Sequence, residues 1–120
     1  MDLTANAQQS TLKLTTVGRK TGKKHSVVIW FVVAGPQAIY VQHVTAPAHW
    51  CKNMAKTAAV ELDFGSGAVT GTATVITDAA RKSEILALFR SKYFIARFLQ
   101  FFGRRRYEPF VAQIDCAETA

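Results

Sequence analysis

A chain of 120 residues with 49% apolar and 11% aromatic side chains has the length of one ordinary domain and enough volume for a core without staples. That composition excludes a disordered chain. Its longest apolar runs, such as Val27 to Ala34, are far short of the ~20 residues a membrane span needs. The start of the chain carries Asp2 and polar residues, so no secretory leader is expected. Cys51 and Cys116 have neither metal-ligand spacing nor the density of a disulfide scaffold, and are expected as free thiols of a cytoplasmic protein.

The net charge of +7 is unevenly laid out. No acidic residue falls between Leu3 and Val60, a stretch that holds Lys13, Arg19, Lys20, Lys23, Lys24, Lys52 and Lys56. From Glu61 onward acids and bases nearly balance. A one-signed field of this kind attracts an anionic partner, although a merely solvated basic surface has the same composition.

In chain order, Met1 to Ser10 is polar and without period, a tail or exposed lead-in to a domain over residues 12–115, with residues 116–120 as a C-terminal tail. Thr11 to Val17 alternates leucines with β-branched residues and predicts a strand. Gly18 to Lys24 is a loop joining it to a continuous apolar strand, Ser26 to Ala34, expected to be buried on both faces. Gly35-Pro36-Gln37 turns the chain into Ala38 to His43. Pro47 suits the first turn of a helix reaching about Lys56. Ala58 to Phe64 and Ala68 to Ile76 form a hairpin about Gly65-Ser66-Gly67. Asp78 is an N-cap for a helix through Lys92, with Ile85, Leu86, Phe89 and Tyr93 on its apolar stripe. An aromatic stretch, Phe94 to Phe102, precedes Gly103 and the Arg104 to Arg106 cluster, and Pro109 to Ile114 reads as a final edge strand. About six antiparallel strands with two or three helices, mainly β with α, suit a small barrel or curled sheet.

The sharpest chemical feature is Gly18-Arg19-Lys20-Thr21-Gly22-Lys23-Lys24-His25. Two glycines let backbone approach a ligand closely, so that several N–H groups could converge on one anion. Arg19 offers a planar donor fork, the lysines point charge, and Thr21 a neutral hydroxyl. A phosphate or carboxylate is the natural guest, and a solvated basic hairpin loop is the competing reading. The P-loop spacing is absent.

The stretch LTTVGRKTGKKHSVVIWFV resembles the signature of the deazaflavin-dependent nitroreductase family, and PAHWCKNMAKTAAVELDF resembles that family's second block, with Trp50, Asn53 and Met54 in register. GTATVITD, ending at Asp78, fits as well, so the resemblance spans roughly residues 12–114. It implies a split β-barrel related to flavin mononucleotide (FMN) oxidoreductases, binding coenzyme F420, whose tail is a phosphodiester extended by glutamates. Carried over by position, Arg19, Lys20, Thr21, Lys24 and His25 would meet the phosphate. His43, Val44 and Thr45, with Trp50, Asn53 and Lys56, would lie near the ring. Two departures stand out: His25 replaces the arginine of many members, and Cys51 replaces the usual aromatic.

The function this implies is hydride transfer between reduced F420 and an apolar, quinone- or nitroaromatic-like acceptor. Tyr107, near the final strand, is the candidate for a substrate-side proton donor or hydrogen bond. The alternatives are a non-catalytic binder of the cofactor or of a lipophilic ligand, and an FMN user on the same barrel. The three histidines lack ligand spacing and a carboxylate cluster, so no metal is expected. Nucleic acid is not an expected partner, since no RNP, zinc-finger or helix-turn-helix pattern occurs. The aromatic, basic tract Tyr93 to Arg106 either roofs the barrel or touches a membrane surface. Monomer and homodimer remain equally open.

Overall fold

The computed structural model describes residues 3–43, 48–65, 67–93 and 109–116. Seven strands form one sheet: β1 (Thr11–Val17), β2 (Lys24–Trp30), β3 (Val32–Gly35), β4 (Ala38–His43), β5 (Ala59–Asp63), β6 (Ala68–Val75) and β7 (Phe110–Cys116). Their order across the sheet is β2-β1-β5-β6-β7-β4-β3, every pair antiparallel. Two helices join them, α1 (His49–Lys56) and α2 (Ala79–Lys92).

That order explains why the sheet curls. β2 and β3 are its opposite edges, yet only Phe31 separates them in the chain. Six interstrand spacings of about 4.8 Å would hold the edges of a flat sheet nearly 30 Å apart, whereas one residue spans about 3.5 Å. The sheet must therefore roll until its edges meet at Phe31, and they splay apart again toward Lys24 and Gly35. The architecture is the split barrel expected.

Phe31 is the corner of this barrel and its backbone has no strand partner. The Tyr93 hydroxyl accepts from Phe31 N–H at 3.2 Å and lies 2.6 Å from Ser10 O and 2.8 Å from Phe31 O. A phenol has one proton, and both carbonyls stand within its reach, Phe31 O also accepting from Lys92 Nζ at 2.8 Å. The Tyr93 ring stacks on Trp30 at 4.5 Å, and Lys92 Nζ stands 4.1 Å above the Phe31 ring. Burial lowers the pKa of the Lys92 ammonium and raises that of the Tyr93 phenol, so both favour their neutral forms more than in water.

Packing follows strand parity. Leu12, Leu14, Ile39, Val41, Leu62 and Ile114 point inward and are fully buried. Trp50, Cys51 and Met54 of α1 join that inner cluster, so α1 plugs the barrel mouth. α2 covers the outer face instead: Ile85, Leu86 and Phe89 pack on Val111, Val32 and Tyr40. Asp78 caps α2 by accepting from Arg81 N–H at 2.8 Å, as its sequence position predicts.

Three expectations need correction. Ser26 to Ala34 is two edge strands broken at Phe31, and it is not buried on both faces, since Val28 is 70% exposed. A run of apolar residues does not distinguish a central strand from two bent edges. The last strand is no edge: β7 pairs with both β6 and β4, and Val111, Ala112 and Ile114 are buried. The N-terminal lead-in is not an exposed tail, because Leu3–Asn6 is a 3-10 helix with Leu3 buried and its N–H bonded to Pro36 O at 2.7 Å. The expected helix start at Pro47 and the aromatic stretch from Phe94 lie outside the described residues.

Candidate functional site

Where the barrel splits, the β1–β2 loop and α1 enclose a cavity of about 490 Å³. Its wall is set by the β1–β2 register. Thr16 pairs with His25 and Leu14 with Val27, so His25 and Val27 continue the inward face out to the mouth. Gly18 is closely packed there: a Cβ on it would lie 3.1 Å from the His25 ring and 3.1 Å from Lys23 O.

The loop is built to spend its backbone donors internally. Gly18 N–H reaches Lys23 O at 2.7 Å, Gly22 N–H reaches Gly18 O at 2.8 Å, and Lys23 N–H reaches Thr21 Oγ1 at 3.3 Å. Gly22, at φ +74°, makes that turn possible. Arg19 N–H goes to Asn53 Oδ1 at 3.2 Å. These four amides are therefore committed, and the loop's side chains stand beside them as further donors.

Arg19 is the best placed of those donors. Its Nη1 donates to Asn53 Oδ1 at 2.9 Å and its Nη2 lies 3.3 Å from His49 Nδ1. His49 and Asn53 are four residues apart on α1, so one helix face presents two neutral acceptors to one guanidinium. Asn53 is itself buried and donates to Thr16 Oγ1 at 3.4 Å, which anchors the device to β1. Lys56 Nζ donates to Arg19 O at 2.9 Å. None of the described residues lining the cavity is acidic, so among them the charge of Arg19 is held in position without being neutralised.

Of the residues expected at a site, Arg19, Lys20, Thr21, His25, Trp50 and Asn53 line this cavity together. Lys56 stands behind it, supporting the loop. His43 packs edge-on against Trp50, ring centroids 5.9 Å apart, below the cavity. Lys24 points elsewhere: its Nζ is 2.8 Å from Glu61 on the outer face, beside a smaller groove of about 210 Å³. Val44, Thr45 and Tyr107 lie outside the described residues. Sequence reasoning missed Thr16, Ser26, Val27 and His49 as lining residues. Strand parity carried forward from Leu12 and Leu14 would have found Thr16, whereas His49 had no local signal.

Cys51, one residue from Trp50, takes no part in nucleophilic chemistry at neutral pH: burial pushes its thiol up to about 11. Among the described residues no cluster of histidine, cysteine or carboxylate could hold a metal, and no helix is long and apolar enough to cross a membrane.

The family model described as F420H2-dependent quinone reductase matches residues 3–95. The chain belongs to this family. The deazaflavin-reductase resemblance of the two sequence blocks is thereby borne out, and with it an F420-dependent oxidoreductase. Among curated proteins, none matches significantly. Solved structures share the fold of this F420H2-dependent reductase at low identity. An F420-H2 dependent reductase, FDR-A, is 22% identical, with 89% of this chain and 95% of that one covered, at a TM-score of 0.68. HutZ, the heme storage protein of Vibrio cholerae, is 15% identical over 99% of this chain and 93% of its own, at a TM-score of 0.72. An FAD-binding protein of Mesorhizobium loti is 11% identical over 93% and 82%, at 0.62. Proteins named for three different cofactors thus share this barrel, so fold alone does not choose among them.

Proposed function

We propose that the cavity at the barrel mouth binds the phosphate of coenzyme F420 through Arg19, Lys20 and Thr21. The enzyme then serves hydride transfer to a lipophilic acceptor of quinone or nitroaromatic type. The observation that carries this reading is the arginine held by neutral acceptors in a cavity whose described lining residues include no carboxylate. A phosphodiester fits that donor set: a planar fork, a lysine and a hydroxyl whose proton remains free to donate. The volume lies within the ordinary range for cofactor pockets.

The bound deazaflavin supplies the hydride chemistry, and the chain supplies binding, orientation and exclusion of water. Arg19 and Lys20 neutralise the tail. Trp50, packed between His43 and Phe110, gives a rigid apolar floor on which a ring can lie without solvent beneath it. Tyr107 is proposed as the proton donor on the acceptor side, and its replacement by Phe should lower kcat by ~100-fold if so.

Absorbance titrations with F420 and with FMN test the cofactor. F420 should bind at low ionic strength and weaken as salt rises. The double substitution of Arg19 and Lys20 by Ala should cost ten- to a hundredfold in affinity, the value of charge-assisted hydrogen bonds of about 1.5–3 kcal/mol. Tight FMN binding with none for F420 overturns the assignment, and unchanged affinity in the double variant moves the phosphate elsewhere.

A further inference from the structure

The reading above uses His49 only as a neutral acceptor, yet among the described residues it is the titratable side chain that meets the Arg19 guanidinium with an acceptor atom. A guanidinium only donates, so the contact at 3.3 Å requires His49 Nδ1 to carry a lone pair. The ring is then neutral, with its proton on Nε2. The same ring lines the cavity.

From this geometry we infer that His49 is a positioning residue for Arg19 and becomes a second, proton-dependent donor when an anion enters. An anion that engages the Nη2 side of Arg19 competes with His49 for that donor. The released Nδ1 then has a free lone pair beside a negative charge. It takes a proton from solvent, turning from acceptor to donor, so that arginine and imidazolium converge on one guest.

The surrounding charges give the linkage its sign. Arg19 and Lys20 approach from the loop, His25 from β2, and Lys52 stands one turn along α1. None of the described residues lining the cavity is acidic. An anion beside the ring adds a negative charge among these cations, so binding favours protonation and, reciprocally, protonation favours binding. Anion affinity should therefore rise as pH falls from about 8 to about 6. This inference rests on the anion-binding reading of the cavity and not on the identity of the cofactor.

Sulfate is the probe, since it does not titrate in this range. Imidazole proton resonances of His25, His43 and His49 are followed against pH in sodium sulfate and in sodium chloride of equal ionic strength, assigned by single substitutions. The His49 midpoint should move up by about 0.5–1 unit in sulfate, the shift of a nearby opposite charge, while His43 stays in place. Sulfate affinity should rise roughly three- to tenfold across that pH range in the parent, by the same linkage. In His49→Asn, which keeps a neutral acceptor for Arg19, the rise should shrink at least roughly twofold, leaving only what His25 supplies. His49→Ala should lose affinity at every pH. An unmoved His49 midpoint, or a pH dependence undiminished in His49→Asn, overturns the inference, and a shift confined to His25 does so too. A His49 shift with sulfate beside no binding of F420 upholds the inference and overturns only the cofactor assignment.

Discussion

Asn53 Oδ1 accepts from both the backbone N–H and the Nη1 of Arg19, at 3.2 and 2.9 Å, so a single buried oxygen fixes the loop and aims its guanidinium. The residue is neutral, and that matters as much as its position. A carboxylate at the same place would hold the arginine more strongly while cancelling the charge the site needs.

Two substitutions separate those effects. Asn53→Ala should leave Arg19 N–H and Thr16 without partners, lowering stability by about 1–3 kcal/mol and weakening anion binding. Asn53→Asp should keep the loop in place yet reduce sulfate or F420 affinity by about tenfold or more, because the new carboxylate pairs with Arg19. Chemical denaturation and ligand titration read the two quantities. Equal affinity in Asn53→Asp would show that Arg19 is not the anion's main partner.

Gly18 offers a steric test of the same cavity. In Gly18→Ala the new Cβ must displace the His25 ring or the Lys23 carbonyl, each 3.1 Å away. Displaced toward the mouth, His25 narrows the cavity, and anion affinity should fall by roughly three- to thirtyfold, with stability lowered by about 1–2 kcal/mol. Parent-like affinity would mean that the loop relaxes outward instead.

Tyr93→Phe probes the opposite end of β1, some 20 Å from the loop by strand length. The ring and its stack on Trp30 remain, but Phe31 N–H and Ser10 O lose their shared partner. Stability should fall by about 1–3 kcal/mol, or roughly 4–10 °C in Tm, with anion affinity unchanged. A change in affinity would reveal that the corner sets the width of the mouth.

Cys51 makes a pH prediction. Its thiol is raised from 9.0 to about 11 in the folded protein, chiefly by burial. A raised folded pKa leaves full stability below the unfolded value and removes it as pH climbs from 9 toward 11, a loss of the order of 2 kcal/mol. Urea midpoints measured at pH 7, 9 and 10.5 should decline in the parent by more than in Cys51→Ala. Parallel declines would assign the loss to other groups.

The sequence by itself determined the hairpins, the Asp78 cap and the composition of the anion loop, because turns, caps and strand periods are local properties. It also placed Arg19, Trp50 and Asn53 in one family pattern. Tertiary structure alone decided which way Lys24 and His25 face. They are neighbours in the chain, but the register with β1 sets Lys24 opposite Val17 on the outer surface and His25 opposite Thr16 on the inner one. A one-residue change of register would exchange them. Only the rolled sheet brings α1 over the loop, so the contact of His49 with Arg19, 30 positions apart, has no counterpart in any local pattern. The interior place of β7 has the same cause: both of its neighbours, β4 and β6, are distant in sequence, and nothing within the strand itself names them.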